Sequence, residues 1–249
     1  MTYLNSDLHP VTQKIREKIR IKKTNLAISL DLTDKNSFLA MADLLGPEIC
    51  ILKTHIDMIQ DFDADLLSQL QALAKKHDFL LFEDRKFADI GETVKHQFSR
   101  SIFKIADWAD LINAHGITGP GIVPSLKSVA RPDTGLLLIA QLSSRENLIS
   151  PQMTETMARW ADQCPEFVVG FIAQKKLNTH HQFLYLTPGI HLDKKGDGQD
   201  QQYRTPEEAI LRDQCDIIIV GRAIYGDADP LAQAKRYREA GWKAWKARG

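Results

Sequence analysis

The 249-residue sequence has few cysteines, no surplus of either charge and no long apolar run. Its three cysteines, Cys50, Cys164 and Cys215, stand far apart, without a CxxC pair or a Cys/His cluster. That excludes a disulfide framework and a cysteine zinc site, and accords with a reducing, cytoplasmic setting. Lys plus Arg balance Asp plus Glu at 32 each, so no general basic field exists to hold nucleic acid or an anionic membrane. Any anion has to be gripped locally. The apolar stretches fall well short of the roughly 20 residues of a membrane helix, and the charged residues 1–20 are unlike a signal peptide. GxGxxG and GxxxxGK[ST] are both missing, which argues against dinucleotide and nucleoside-triphosphate sites.

What is present is a repeating alternation. Strand-length apolar runs recur at residues 25–32, 49–56, 79–86, 109–115, 135–142, 167–172, 183–190 and 216–222. Most are rich in Ile, Leu or Val on both parities, as parallel strands covered on both faces are. Amphipathic helical stretches separate most of them, such as residues 66–77 and 154–163. Thr205-Pro206-Glu207-Glu208 is a capping box, and Asp229-Pro230 opens the last helix. Residues 174–182 are too few for a full helix and predict an abbreviated crossover. Residues 10–23 predict an extra helix before the first strand. With 43% apolar residues and no linker, the pattern predicts one α/β domain over residues 1–249, a (β/α)₈ TIM barrel with an extra N-terminal helix. A doubly wound open sheet shares the alternation and is the alternative.

A barrel carries its function at the carboxyl ends of its strands. There the sequence turns polar, as Ser29 and Asp31, Lys53 and His55, Asp84 and Lys86, Asn113 and His115, and Gln141 and Ser143. Side chains two apart on a strand share a face, so these pairs are expected to converge on one mouth. Asp84 and Lys86 are the sharpest pair. An ammonium flanked by carboxylates is favoured in its charged form, which suits a fixed proton donor and not a Schiff-base nucleophile. A carboxylate beside it repels an anionic substrate group by about 4 kcal/mol at about 4 Å and an effective dielectric near 20, before the lysine offsets part of this. The pair therefore suits expelling a carboxylate as carbon dioxide and protonating what remains. His55 and His115, one per strand end, read as hydrogen-bonding partners of these charges and not as metal ligands. Arg85 has the opposite parity and drops out. Residues 194–204, rich in donors, and the glycine and fork-shaped cation of Gly221-Arg222 come after the seventh and eighth strands, where this fold binds phosphate.

Residues 82–91, Phe-Glu-Asp-Arg-Lys-Phe-Ala-Asp-Ile-Gly, followed by Thr93-Val94-Lys95, resemble the signature of the orotidine 5′-monophosphate decarboxylase family in its eukaryote-like branch. Ser29-Leu30-Asp31, Leu52-Lys53-Thr54-His55, Asn113-Ala114-His115, Leu186-Thr187-Pro188-Gly189, Gln201-Gln202-Tyr203 and Ile219-Val220-Gly221-Arg222 extend the resemblance over nearly the whole chain. It implies conversion of orotidine 5′-monophosphate to uridine 5′-monophosphate and carbon dioxide, the last step of pyrimidine nucleotide synthesis, with no metal or organic cofactor. By it, Asp84 faces the departing carboxylate and Lys86 protonates carbon 6. Lys53 and Asp31 bind the ribose, with Ser29 beside them, and Ser143 and Pro188 contact the base. Gln201, Tyr203, Gly221 and Arg222 hold the phosphate. Asp89 and Thr93 reach into a neighbouring subunit's site, implying a homodimer with shared active sites. Glu92, Gln141 and Ser144-Arg145-Glu146 depart from the family's usual residues. The rival reading is a magnesium-dependent sugar-phosphate decarboxylase or epimerase on a related barrel.

Overall fold

The computed structural model describes residues 8–193 and 202–249. Eight parallel strands close into a barrel in sequence order, so the barrel expectation holds and the open sheet does not. The strands are β1 (Leu26–Leu30), β2 (Ile51–Thr54), β3 (Leu80–Phe87), β4 (Leu111–Ala114), β5 (Gly135–Ile139), β6 (Val168–Ile172), β7 (Leu184–Thr187) and β8 (Ile217–Val220). Apart from the last residue of β3, each falls inside a run expected from the sequence.

Period-2 alternation sorts the side chains into two cores. Leu26, Ile28 and Leu30 of β1 face the helical mantle, as do Leu52 of β2 and Ile112 of β4. Ala27, Ile51, Phe82, Leu111 and Leu137 face the barrel axis. Helix α1 (Pro10–Lys22) is the extra N-terminal helix. Its Val11, Ile15 and Ile19 join the axial cluster and are 2% exposed or less, so the helix closes the barrel on the side away from the strand ends. Gly135 makes room for this, because a Cβ there would stand 2.7 Å from Val11 Cγ1.

The mantle is completed by α2 (Lys35–Leu45), α3 (Ala64–His77), α4 (Gly91–Ser99), α5 (Ile122–Lys127), α6 (Pro151–Gln163), α7 (Arg222–Tyr225) and α8 (Pro230–Arg248). Between β6 and β7 the chain crosses without a helix, as its length required. The capping box forms as expected: Thr205 N donates to Glu208 Oε2 at 2.9 Å, and Glu208 N to Thr205 Oγ1 at 3.1 Å. It leads into a five-residue π-helical turn, Glu208–Arg212, in place of an α-helix. The Asp213 amide reaches back to the Glu208 carbonyl, an i→i+5 bond, while Arg204 pairs with the Asp213 carboxylate. Trp242 and Trp245 stack at 5.2 Å and pack on the axial cluster, a packing role.

Candidate active site

The carboxyl ends of the strands surround a cavity of about 330 Å³. Ser29, Asp31, Lys53, Asp84, Lys86, Ser143, Pro188, Tyr203, Gly221 and Arg222 all line it, joined by Asn113 and Ser144. Ten of the thirteen residues that the family resemblance assigns to the site therefore share one space. Gln201, with the rest of residues 194–201, lies outside the described residues. Asp89 and Thr93 stand outside this cavity. Asp89 accepts a hydrogen bond from the Ile90 amide at 2.8 Å and one from Gln97 Nε2 at 3.2 Å. Thr93 is exposed in the first turn of α4.

At the floor of the cavity, Asp84 is 8% exposed and bound on every side. Lys53 Nζ lies 2.5 Å from its Oδ2, and Lys86 Nζ 2.8 Å from its Oδ1. Asn113 Nδ2 donates to Oδ1 at 2.6 Å, and His55 Nε2 is 3.1 Å from Oδ2. Burial pushes this carboxyl upward, but Lys53, the His55 hydrogen bond and Lys86 outweigh it and hold the group well below the usual carboxylate range. The network continues outward. His55 Nδ1 lies 2.9 Å from Asp31 Oδ1, which also accepts from Ser29 Oγ at 3.1 Å. Burial lowers the His55 imidazole, yet its bonds to Asp31 and Asp84 raise it above its ordinary value. Asp31 is moved up by burial and further down by His55 and Lys53, ending low. The result alternates in sign: Asp31, His55 with Lys53, Asp84, Lys86.

Local backbone geometry aims the last of these. Between Glu83 and Phe87 the β3–β4 register shifts, and Lys86 takes a left-handed φ of 52°. A non-glycine residue there is strained. The Asn113 side chain holds it, its Oδ1 accepting the Lys86 amide at 2.7 Å while its Nδ2 grips Asp84. Asp84 and Lys86 do meet, though through this bulge and not through an unbroken pleat.

Two expectations from the sequence are refined. Gln141 does not pair with Ser143 at the mouth. Because β5 ends at Ile139, the chain has left the pleat, and Gln141 Oε1 instead accepts the Gln174 amide at 2.8 Å and the Lys175 amide at 3.2 Å. Asn113 stands out in the sequence only as a strand-end polar residue, and the structure places it in the network beside His55, which joins the charges as the hydrogen-bonding partner it was expected to be. Their parity and their position, on β4 and just past β2, are the signals. His115 lies further out, its imidazole lowered by burial and Lys86 against an opposing pull from Asp84. Arg85 stands 3.9 Å from Asp57, apart from the cavity lining. Among the described residues, no group of three or more His, Cys, Asp or Glu is arranged to hold a metal ion.

Fold and cavity together define a (β/α)₈ barrel enzyme whose polar cavity lies at the strand carboxyl ends, around a buried carboxylate between two lysines. The model of the orotidine 5′-phosphate decarboxylase / HUMPS family matches residues 24–237, and the chain belongs to that family. It is 51% identical to the orotidine 5′-phosphate decarboxylase of Phycomyces blakesleeanus, over 98% of this chain and 93% of that protein. It is 53% identical to the orotidine 5′-phosphate decarboxylase of Rhizomucor pusillus, over 93% of this chain and 90% of that protein. The crystal structure of the Methanocaldococcus jannaschii orotidine 5′-monophosphate decarboxylase with the inhibitor BMP superposes with a TM-score of 0.68 at 20% identity. The match covers 87% of this chain and 98% of that one, and shows the fold.

Proposed function

We propose that this chain converts orotidine 5′-monophosphate to uridine 5′-monophosphate and carbon dioxide, the closing step of pyrimidine nucleotide synthesis. The observation that carries the reading is Asp84, a buried carboxylate ion-paired to Lys53 and Lys86 at the floor of the cavity. A substrate carboxylate set against Asp84 is repelled, while Lys86 stands beside the same carbon. The carbon–carbon bond breaks, its electron pair stays on carbon 6, carbon dioxide leaves, and the Lys86 ammonium supplies the proton. Pre-organised charge, set before the substrate arrives, stabilises the developing carbanion.

Lys53 and Asp31 take the ribose hydroxyls, with Ser29 beside them and bonded to Asp31. Ser143 and Pro188 contact the pyrimidine. Tyr203, Gly221 and Arg222, with Gln201, hold the phosphate, whose binding energy serves the distant chemistry by ordering the chain around the base. Asp89 and Thr93 stand outside their own cavity, which supports a role in the site of a second copy, in a cytoplasmic homodimer. Every group this scheme uses is supplied by the chain, with no metal or organic cofactor.

The test is purified protein with orotidine 5′-monophosphate and a chelator, followed by pyrimidine absorbance. Decarboxylation should survive the chelator and be nearly abolished in Lys86→Ala. No turnover, or loss of turnover with the chelator, would sink the assignment in favour of a magnesium-dependent relative. Mixing Lys86→Ala with Asp89→Ala subunits should restore part of the activity if sites are shared. Confirmed subunit exchange without recovery would remove Asp89 from the site.

A further inference from the structure

Beside the network, and on the other face of the same two strands, lies a carboxyl that the decarboxylation scheme does not use. Glu83 is 0% exposed, and it pairs with Thr54 in the β2–β3 register. Lys53 and Asp84, one residue away on each strand, face the cavity, so Glu83 and Thr54 face away from it. The Thr54 hydroxyl donates to Glu83 Oε2. The Ile56 amide lies 3.3 Å from Oε1 and 3.1 Å from Oε2. Glu83 thus binds the chain immediately before and immediately after His55.

We propose that Glu83 is a positioning residue: by clasping Thr54 and Ile56 from behind, it fixes the end of β2 so that Lys53 and His55 meet Asp84. Three observations carry this. His55 lies just past β2, where no strand pairing holds the chain, yet its two ring nitrogens sit 2.9 Å from Asp31 and 3.1 Å from Asp84. Such a bridge needs the backbone on both sides of His55 fixed, and the Glu83 carboxyl reaches both sides at once. The third is the cost of the group itself. Burial pushes the Glu83 carboxyl up to about 8, opposed by the Thr54 and Ile56 hydrogen bonds and by His55, and reinforced by Asp57. Leucine would fill the space without that cost, but would leave the Thr54 hydroxyl and Ile56 amide buried without this partner.

The inference rests on the reading of Asp84 and Lys86 as the reacting pair, and its test separates the two. In ligand-free protein, the His55 imidazole, faced by Asp31, Asp84, Lys53 and Lys86, is titrated by NMR. Wild type should titrate above the ordinary histidine range. Glu83→Leu should bring His55 back toward that range and lower turnover by about tenfold or more, and Glu83→Gln should recover most of both. Where Glu83→Leu does not fold, Thr54→Val removes one bond of the clasp and should move both readouts in the same direction by less. An unchanged His55 titration in a folded variant overturns the proposal, as does a shifted titration with full turnover. Failure of the catalytic reading shows separately, as Lys86→Ala that still decarboxylates.

Discussion

Asn113 serves two residues with one amide. Its Nδ2 holds the Asp84 carboxylate at 2.6 Å, and its Oδ1 holds the Lys86 backbone at 2.7 Å in a left-handed conformation. It is 0% exposed, so losing either bond leaves a buried polar group unpaired at a cost of about 1–3 kcal/mol. That cost falls on the geometry of the Asp84–Lys86 pair more than on the fold, since β4 keeps its other neighbours. Asn113→Ala should therefore lower kcat by about ten- to a hundredfold while the chain stays folded, because about 1.4 kcal/mol is a factor of ten in rate. Asn113→Asp should do worse, because it sets a second carboxylate against Asp84. Steady-state kinetics with circular dichroism on both variants checks this, and an Asn113→Ala enzyme with wild-type kcat would refute it. The charged pair itself was legible from spacing: Asp84 and Lys86 are two apart at a strand end. Asn113 was visible only as one polar residue among several. Its partners lie on another strand, and a β-bulge depends on how two strands pair, which one strand's sequence does not encode.

Among the elements, all eight strands could be read because parallel barrel strands are apolar on both faces and end in turn-forming or polar residues. Reading them fails where the pleat stops. Gln141 and Ser143 keep a spacing of two but have left β5, and a spacing of two then no longer implies a shared face. The capping box at Thr205 and Glu208 was also legible, being local. The π-helical turn after it was not, because its closure involves Asp213, which Arg204 binds from the far side of the turn. Helix α1 was expected from its sequence, but its place as the plug of the barrel comes only from closure. Ile15 in α1 is 0% exposed within the axial cluster. Ile15→Ala should cost about 2–5 kcal/mol of stability through the cavity it leaves. The active end lies across the barrel from this helix, so kcat at low temperature should change little. Urea titration alongside kinetics tests both halves, and an equal loss of kcat would mean that the plug and the site are coupled.

For the whole molecule, the buried charges near the site set how stability varies with pH. Asp31 and Asp84 sit below their ordinary values, so the stability they add is present above the unfolded carboxylate range and is lost only as the solution becomes acidic. Glu83 acts in the opposite sense. Its folded value is raised from 4.5 to about 8, so between those pH values the unfolded chain is ionised there while the folded chain keeps the proton. The folded state binds more protons in that window, and stability falls as pH rises through it. His55, raised above 6.5, adds to the fall at the upper end, whereas His115, lowered, opposes it. Glu83→Gln removes the first contribution and leaves the other groups in place. The difference in unfolding free energy between Glu83→Gln and wild type should therefore move in favour of the variant as pH rises from 4.5 to about 8, and level off above. Its slope is bounded by about 1.4 kcal/mol per pH unit for one proton. Denaturant titrations of both proteins at intervals of roughly one pH unit across and beyond that window measure it. Parallel curves would mean that Glu83 is ionised in the folded barrel. A difference that grows only above the ordinary histidine value of 6.5 would assign the effect to His55 instead.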